Sequence, residues 1–135
     1  MDGAAARYAK NAGAVFSLKF HVVWCPKYRK PVLAPPVGER LAALLRDIAA
    51  NLELTVHAME VMPDHVHLFV ESDPRWAPGE IAGRLKANTS RILRDEFPHL
   101  RSRLPTLWSR SYFIASVGAV SEAAIRRYIA AQKTR

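Results

Sequence analysis

The chain has 135 residues, half of them apolar, which suits one domain with a substantial core. Lysine and arginine number 20 against 12 acidic residues, giving a formal net charge of +8. A surface this basic attracts polyanions, of which nucleic acid is the commonest. Cys25 is the single cysteine, which excludes an intrachain disulfide and a zinc site built from several cysteines, and which suits a reducing cytoplasm.

The order of the predicted elements indicates the fold class. We expect one domain over residues 1–135, with residues 1–15 as a loose leader and no membrane span. Hydrophobic periodicity predicts strands and helices in this order: strand 16–24, helix 37–52, strand 54–61, strand 65–71, helix 80–97, strand 108–117 and helix 121–132. We expect loops at 25–36, 72–79 and 100–105. The order βαββαβ is that of a ferredoxin-like α+β fold, an antiparallel sheet with two helices on one face and an added C-terminal helix.

Two histidines, one residue apart, lie in the third predicted strand. Because side chains alternate along a strand, His65 and His67 should project from one face, roughly 6 to 7 Å apart along the chain. Val66, Leu68 and Val70 should then point into the core. Two imidazoles on one face can bind a metal ion, although paired histidines at this spacing also occur by chance.

The last helix carries a tyrosine and a glutamine four residues apart. Tyr128 and Gln132 therefore lie on one side of it. One interpretation makes them a packing residue and a surface residue, and spacing alone favours it. The other makes Tyr128 a nucleophile and Gln132 a metal ligand through its carbonyl oxygen. A tyrosine can form covalent intermediates when a metal or a positive site activates its phenol.

Positive charge is interleaved with aromatic residues. Such mixtures neutralise phosphates and stack on unpaired bases, although a solvated charged face has the same composition. The candidate nucleic-acid contacts lie in the loop after the first strand, on the second long helix and near the fourth strand: Lys27, Tyr28, Arg29, Lys30, Lys86, Arg91 and Arg110.

Taken together, these residues resemble the single-tyrosine HUH transposases, the TnpA type encoded by the smallest bacterial insertion sequences. The matching strings run through most of the chain: His21-Val22-Val23-Trp24, Lys27-Tyr28-Arg29, Pro63-Asp64-His65-Val66-His67-Leu68, Leu85-Lys86, Leu107-Trp108-Ser109-Arg110-Ser111-Tyr112-Phe113, Val117-Gly118, and Tyr128-Ile129 followed by Gln132. No single string is decisive, but their joint order is specific.

The resemblance implies a function and a site. His65, His67 and Gln132 would hold Mg²⁺ or Mn²⁺, and Tyr128 would be the catalytic nucleophile. Family members act as homodimers, in which the tyrosine helix of one subunit completes the histidine site of the other. They bind hairpins near the ends of the element and cut and rejoin single-stranded DNA through a 5′-phosphotyrosine, without a nucleotide cofactor. We expect a bacterial cytoplasmic protein that associates with the nucleoid when it acts.

Two alternatives remain open. The chain could be a domesticated relative that processes chromosomal repeat hairpins and no longer moves an element. It could also be a non-catalytic module that binds single-stranded nucleic acid on the free face of a ferredoxin-like sheet.

Overall fold

The computed structural model describes residues 9–11 and 14–132. Its elements follow in this order: β1 Ala9–Asn11, β2 Ala14–Phe16, β3 Leu18–Trp24, α1 Val37–Asn51, β4 Thr55–Met62, β5 His65–Ser72, α2 Pro78–Glu96, α3 Pro98–Arg103, β6 Phe113–Ser116 and α4 Ala119–Gln132. A short 3₁₀ turn lies at Lys27–Arg29. Within the described ranges no helix has the length and apolarity to cross a membrane.

The main sheet has the order β4-β5-β3-β6, with every neighbouring pair antiparallel. This is the strand order of a ferredoxin-like fold and confirms the predicted α+β class. One face is covered by α1 and α2, and we call it the helical face. Val66, Leu68 and Val70 pack there in the main core with Leu41 and Leu85, as the alternation predicted.

The opposite face carries the histidines, and we call it the histidine face. The pairing register sets His21 against Phe69 and Val23 against His67, and residues directly opposite each other project to one side. The helix α4 packs here: Ile129 is buried in a small cluster with Phe69. The sheet therefore separates a large helical core from a thinner layer that holds the C-terminal helix.

The prediction of a fourth strand is wrong over most of the predicted range. Only Phe113–Ser116 pairs with β3, whereas a strand was expected over 108–117. The indole of Trp108 turns into the core, where its Nε1 donates to the backbone oxygen of Lys86 and to Oγ1 of Thr89. Trp108 makes an isolated bridge to Pro26, and the three carbonyl groups that follow it accept from Lys86 of α2, so the regular ladder with β3 begins only at Phe113.

Three smaller expectations also need correction. The predicted loop at 100–105 is largely the short helix Pro98–Arg103, since a proline that ends one helix is well suited to the first turn of the next. The last helix begins at Ala119, two residues before the predicted start. The expected loose leader, 1–15, contains the antiparallel pair Ala9–Asn11 and Ala14–Phe16, while residues 1–8 and 12–13 lie outside the described residues.

Candidate active site

The paired histidines lie together on the histidine face. The rings of His65 and His67 are 4.7 Å apart between centroids and nearly perpendicular, with an interplanar angle of 81°. Both come from β5, an interior strand of the sheet: His67 is paired with β3 and with β4, and His65 is paired with Met62 of β4. Only 6 % of the surface of His67 is exposed, which places its ring in a largely water-excluded setting.

The ring of His65 is oriented by the residue before it. Its Nδ1 lies 2.6 Å from Oδ1 of Asp64, whose Oδ2 accepts a hydrogen bond of 3.1 Å from Nε of Arg29. These two partners, His65 first, lower the pKa of the Asp64 carboxyl, so it is ionised at neutral pH. A carboxylate can only accept, so Nδ1 of His65 donates to Asp64, and Nε2 is the nitrogen left to face a metal.

A third histidine, His21, belongs to the site. Its Nε2 lies 3.4 Å from Nδ1 of His67, and the two rings stack at 5.6 Å with an interplanar angle of 13°. Burial lowers the pKa of His21, and burial followed by the charges of His65 and His21 lowers the pKa of His67 to about 4. Both rings are therefore neutral at physiological pH, the form in which imidazole binds metals.

The tyrosine of the last helix faces the same histidines. The ring of Tyr128 lies edge-on to His67, with centroids 5.5 Å apart and an interplanar angle of 70°. Its side chain is 49 % exposed, while the next residue, Ile129, is buried at 1 %. The buried neighbour fixes the helix to the sheet and leaves the phenol accessible to a substrate. Gln132 is the last residue of the helix, and its side chain lies outside the described part of the structure.

A bulge in β4 fixes the tyrosine helix. The pairing register shifts between Val56 and Ala58, so His57 is the extra residue. Its carbonyl oxygen accepts a hydrogen bond from Arg126, whose guanidinium also lies 5.1 Å from the centre of the Phe69 ring. The His57 ring is held by Glu71, with Nε2 and Oε1 2.7 Å apart. The bulge therefore provides an acceptor that aligns α4.

These residues fit a divalent metal. His65 and His67 offer imidazole nitrogens, which Mn²⁺ accepts readily and Mg²⁺ less so, because Mg²⁺ prefers oxygen. Among the described residues no group of three or more His, Cys, Asp and Glu is arranged to hold a metal. A glutamine carbonyl, a phosphate or water could supply further oxygen ligands.

The basic loop after β3 lies beside this site, through the contact of Arg29 with Asp64. Tyr28 and Arg29 have positive φ angles of 58° and 53°, a backbone region that non-glycine residues rarely adopt. The turn exposes 67 % of Tyr28, and the Nζ of Lys27 lies 5.4 Å from the centre of its ring. Lys30 is also exposed. The loop thus presents cations and an aromatic face to solvent.

The other candidate DNA contacts have different positions. The ammonium of Lys86 donates to the backbone oxygens of Ser109, Arg110 and Ser111 at 2.8, 3.4 and 3.2 Å. This contact makes Lys86 a structural anchor, and burial lowers its pKa. Arg110 is exposed in the anchored segment, whereas Arg91 is exposed on α2, on the helical side of the sheet. The structure therefore does not bring Arg91 together with the histidines.

Sequence reasoning missed His21, Asp64 and Arg126 as site residues. Strand alternation predicts that the side chains of His21 and Val23 project from the same face of the sheet. Only the pairing register, which sets Val23 opposite His67, shows that this face is the histidine face. No pattern in the sequence marks Asp64 or Arg126 as a contact of the site.

Comparison with known proteins agrees with the resemblance found in the sequence. The family model "Transposase IS200 like" matches residues 14–132. The chain is 41 % identical over 125 residues to the ISDra2 transposase TnpA of Deinococcus radiodurans, covering 91 % of this chain and 89 % of that protein. It is 27 % identical over 116 residues to the transposase of insertion sequence element IS200 from Salmonella typhimurium, covering 84 % of this chain and 76 % of that protein.

Two solved structures share the fold. A crystal structure of a candidate transposase from Deinococcus radiodurans R1 has a TM-score of 0.75 and 37 % identity, covering 92 % of this chain and 97 % of that one. A REP-associated tyrosine transposase, solved bound to a REP hairpin, has a TM-score of 0.61 and 13 % identity, covering 90 % of this chain and 69 % of that one. The second likeness is one of fold alone.

Proposed function

Since the chain belongs to the IS200-like transposase family, we propose that it is a metal-dependent transposase that cuts and rejoins single-stranded DNA through a 5′-phosphotyrosine. Membership of this family makes it a DNA-processing enzyme, and the finer chemistry is the proposal. The observation that carries it is the edge contact of Tyr128 with His67, 5.5 Å between ring centres. That contact puts a partly exposed phenol beside the paired imidazoles of His65 and His67.

The covalent step uses the phenol of Tyr128. Its oxygen attacks the scissile phosphorus in line and gives up its proton. The bond from phosphorus to the 3′ oxygen breaks, and that oxygen takes a proton and leaves as a 3′-OH. The 5′ phosphate stays on Tyr128 as a phosphodiester, so the bond energy is kept. A second 3′-OH can then attack the link and restore Tyr128, and no nucleotide cofactor is required.

His65, His67 and Gln132 would hold Mg²⁺ or Mn²⁺. When bound, such an ion supplies positive charge that polarises and orients the scissile phosphate. Around it, Asp64 fixes the tautomer of His65, and His21 contacts the inner nitrogen of His67. Both contacts engage Nδ1, so they leave Nε2 of each ring to face a ligand, and they limit rotation of the rings.

The DNA is proposed to be a single strand carrying a hairpin, bound in the bacterial cytoplasm at the nucleoid. Lys27, Tyr28, Arg29 and Lys30 form the basic turn beside Asp64, where all but the partly buried Lys27 are exposed, and Arg110 is exposed in the segment before β6. A protein of the same fold was solved with a REP hairpin, so the fold is able to hold this class of ligand. Arg91 would contact DNA only where the strand also reaches the helical side.

We propose a homodimer as the assembly. Tyr128 lies against His67 of its own chain, so exchange of helices between copies is not needed to bring the two together. Mixing Tyr128→Phe with His65→Ala tests this point. Recovery of cleavage in the mixture would show that one copy supplies the tyrosine to the other, and absence of recovery would show that each chain uses its own.

The test of the proposed function is a denaturing gel. Hairpin-bearing single strands from the DNA flanking the gene are labelled and incubated with the protein and Mn²⁺. We expect a cleaved strand and a covalent protein–DNA band, both absent with Tyr128→Phe while binding of the strand persists. A non-catalytic module would bind the strand and leave no covalent band in the wild type. Matching hairpin ends on both sides of the gene would separate a mobile element from a domesticated relative.

A further inference from the structure

The histidine face continues past the histidines to the edge of the sheet. On β3, Val23 pairs with His67 on one side and with Phe113 of β6 on the other, so the three side chains form one row. Two interstrand spacings separate Phe113 from His67, about 10 Å. A phosphate bound at the histidines would therefore place a neighbouring nucleotide within reach of Phe113.

Phe113 is unusually exposed for a phenylalanine. Its side chain is 56 % accessible, although a large apolar ring on an edge strand is a liability in a stable protein. Its ring meets His21 edge-on at 6.1 Å, and His21 stacks on His67. An unbroken series of rings thus leads from the candidate metal site to an exposed aromatic face.

A hollow lies directly beside this ring. Its volume is about 280 Å³, and its walls come from the end of β3 and the segment before β6, including Val23, Cys25, Ser111 and Phe113. The lining combines apolar surface with hydroxyl groups. Planar, partly polar molecules suit such a lining, because their faces stack and their edges form hydrogen bonds.

The walls of the hollow are held firmly. Lys86 donates to the backbone oxygens of Ser109 and Ser111, and the amide of Ser109 donates to the oxygen of Cys25 at 3.0 Å. The hollow is thus formed before any ligand binds, which reduces the entropy that binding would cost.

We propose that Phe113 and this hollow form a binding subsite for an unpaired nucleobase of the DNA strand, next to the phosphate held at the histidines. This subsite adds a contact to the proposed function, and it rests on that function for the assumption that the ligand is single-stranded DNA. Stacking tolerates every base, since each base has a π face. The subsite therefore holds the strand in register with Tyr128 without reading its sequence.

The first experiment compares two strands of equal charge. One is a short oligothymidylate, and the other has the same length and phosphates but no bases. In Tyr128→Phe protein, which cannot react, we expect tighter binding of the strand with bases. Phe113→Leu should lower the ratio of the two affinities by roughly fivefold or more, since one stacked base contributes about that factor. Phe113→Trp is the matched control and should preserve the ratio, because it keeps an aromatic face.

The second experiment uses the chain's only cysteine as a reporter. Cys25 lines the hollow and is partly exposed. We expect oligothymidylate to slow alkylation of Cys25 severalfold, and the base-free strand to have little effect at equal occupancy. In Phe113→Leu the protection should weaken.

The outcomes separate this inference from the proposed function. An unchanged affinity ratio in Phe113→Leu, with equal protection of Cys25 by both strands, would overturn the subsite, even if Tyr128 forms its adduct. An altered ratio in a protein that never cleaves DNA would support the subsite and count against the chemistry. If Phe113→Leu instead dissociated a dimer in sedimentation and left the ratio unchanged, Phe113 would be a contact between copies and the proposal would be wrong.

Discussion

The imidazole of His65 and the carboxylate of Asp64, the residue before it, are 2.6 Å apart between Nδ1 and Oδ1. This contact fixes which nitrogen of His65 faces a ligand. Partners of this kind typically alter metal affinity by about 10- to 100-fold when they are lost. It also joins the basic turn to the site, because Arg29 donates to the other oxygen of Asp64.

Asp64→Asn should weaken Mn²⁺ binding by about 10- to 100-fold, because an amide accepts a weaker hydrogen bond from Nδ1 and no longer enforces one tautomer. Calorimetric titration of Mn²⁺ into the metal-free protein measures the change directly. Asp73→Asn is the matched control, since that carboxylate bonds the surface residue Arg75. Equal affinities for the wild type and Asp64→Asn would show that the carboxylate does not orient a metal ligand.

His21→Phe should retain a ring against His67 but remove the nitrogen that meets Nδ1 at 3.4 Å. We expect a higher Mn²⁺ concentration to be needed for the half-maximal cleavage rate. The cleavage rate at saturating Mn²⁺ should change less. The measurement is the dependence of the cleavage rate on Mn²⁺ concentration. A drop in rate that Mn²⁺ cannot restore would assign His21 a role beyond the positioning of His67.

Acid should destabilise the metal-free protein through His67. Its pKa is about 4 in the folded chain, against an ordinary value of 6.5, because the ring is buried beside two other histidines. The unfolded chain therefore binds a proton more readily between these values, and the free energy of unfolding falls as pH falls from about 6.5 to 4. Urea unfolding in EDTA across this range measures it. His67→Gln should show a shallower fall, and an identical slope would contradict the assignment.

Lys86 and Arg91 were both expected to contact DNA, and the structure separates them. Lys86→Met should reduce the free energy of unfolding by about 1–3 kcal/mol, because three backbone oxygens lose their charged donor. Arg91→Met, at an exposed position on the same helix, should change it by about 0.5 kcal/mol or less. Urea denaturation compares the two variants. Equal stabilities would show that the ammonium of Lys86 contributes no anchoring.

The sequence was sufficient for the sheet and for the main pair of histidines. Alternation along β5 put Val66, Leu68 and Val70 on one side and His65 and His67 on the other, and the structure confirms that division. Such predictions succeed because the period of a strand is local. One residue of slip would move every side chain to the wrong face, so a buried pattern of this kind fixes the register.

The failures have tertiary causes. The segment before β6 has the composition of a strand, yet the ammonium of Lys86 binds its carbonyl groups and the indole of Trp108 anchors it to α2. Neither contact changes the hydrophobic periodicity of the segment, so the sequence pattern does not reveal it. The role of His21 likewise depended on which strands are neighbours. The strand over 54–61 was expected and is present, but its composition does not reveal the bulge at His57 that supplies the acceptor for Arg126.

The central claim is that Tyr128 and the paired histidines form one catalytic site. The most direct measurement is mass spectrometry of the covalent protein–DNA complex after nuclease and protease digestion. We predict a nucleotide 5′ phosphate on the peptide that contains Tyr128, formed in Mn²⁺ and lost in His67→Ala. A nucleotide on Tyr28 or Tyr112, or cleavage of the strand with no tyrosine adduct, would contradict the account.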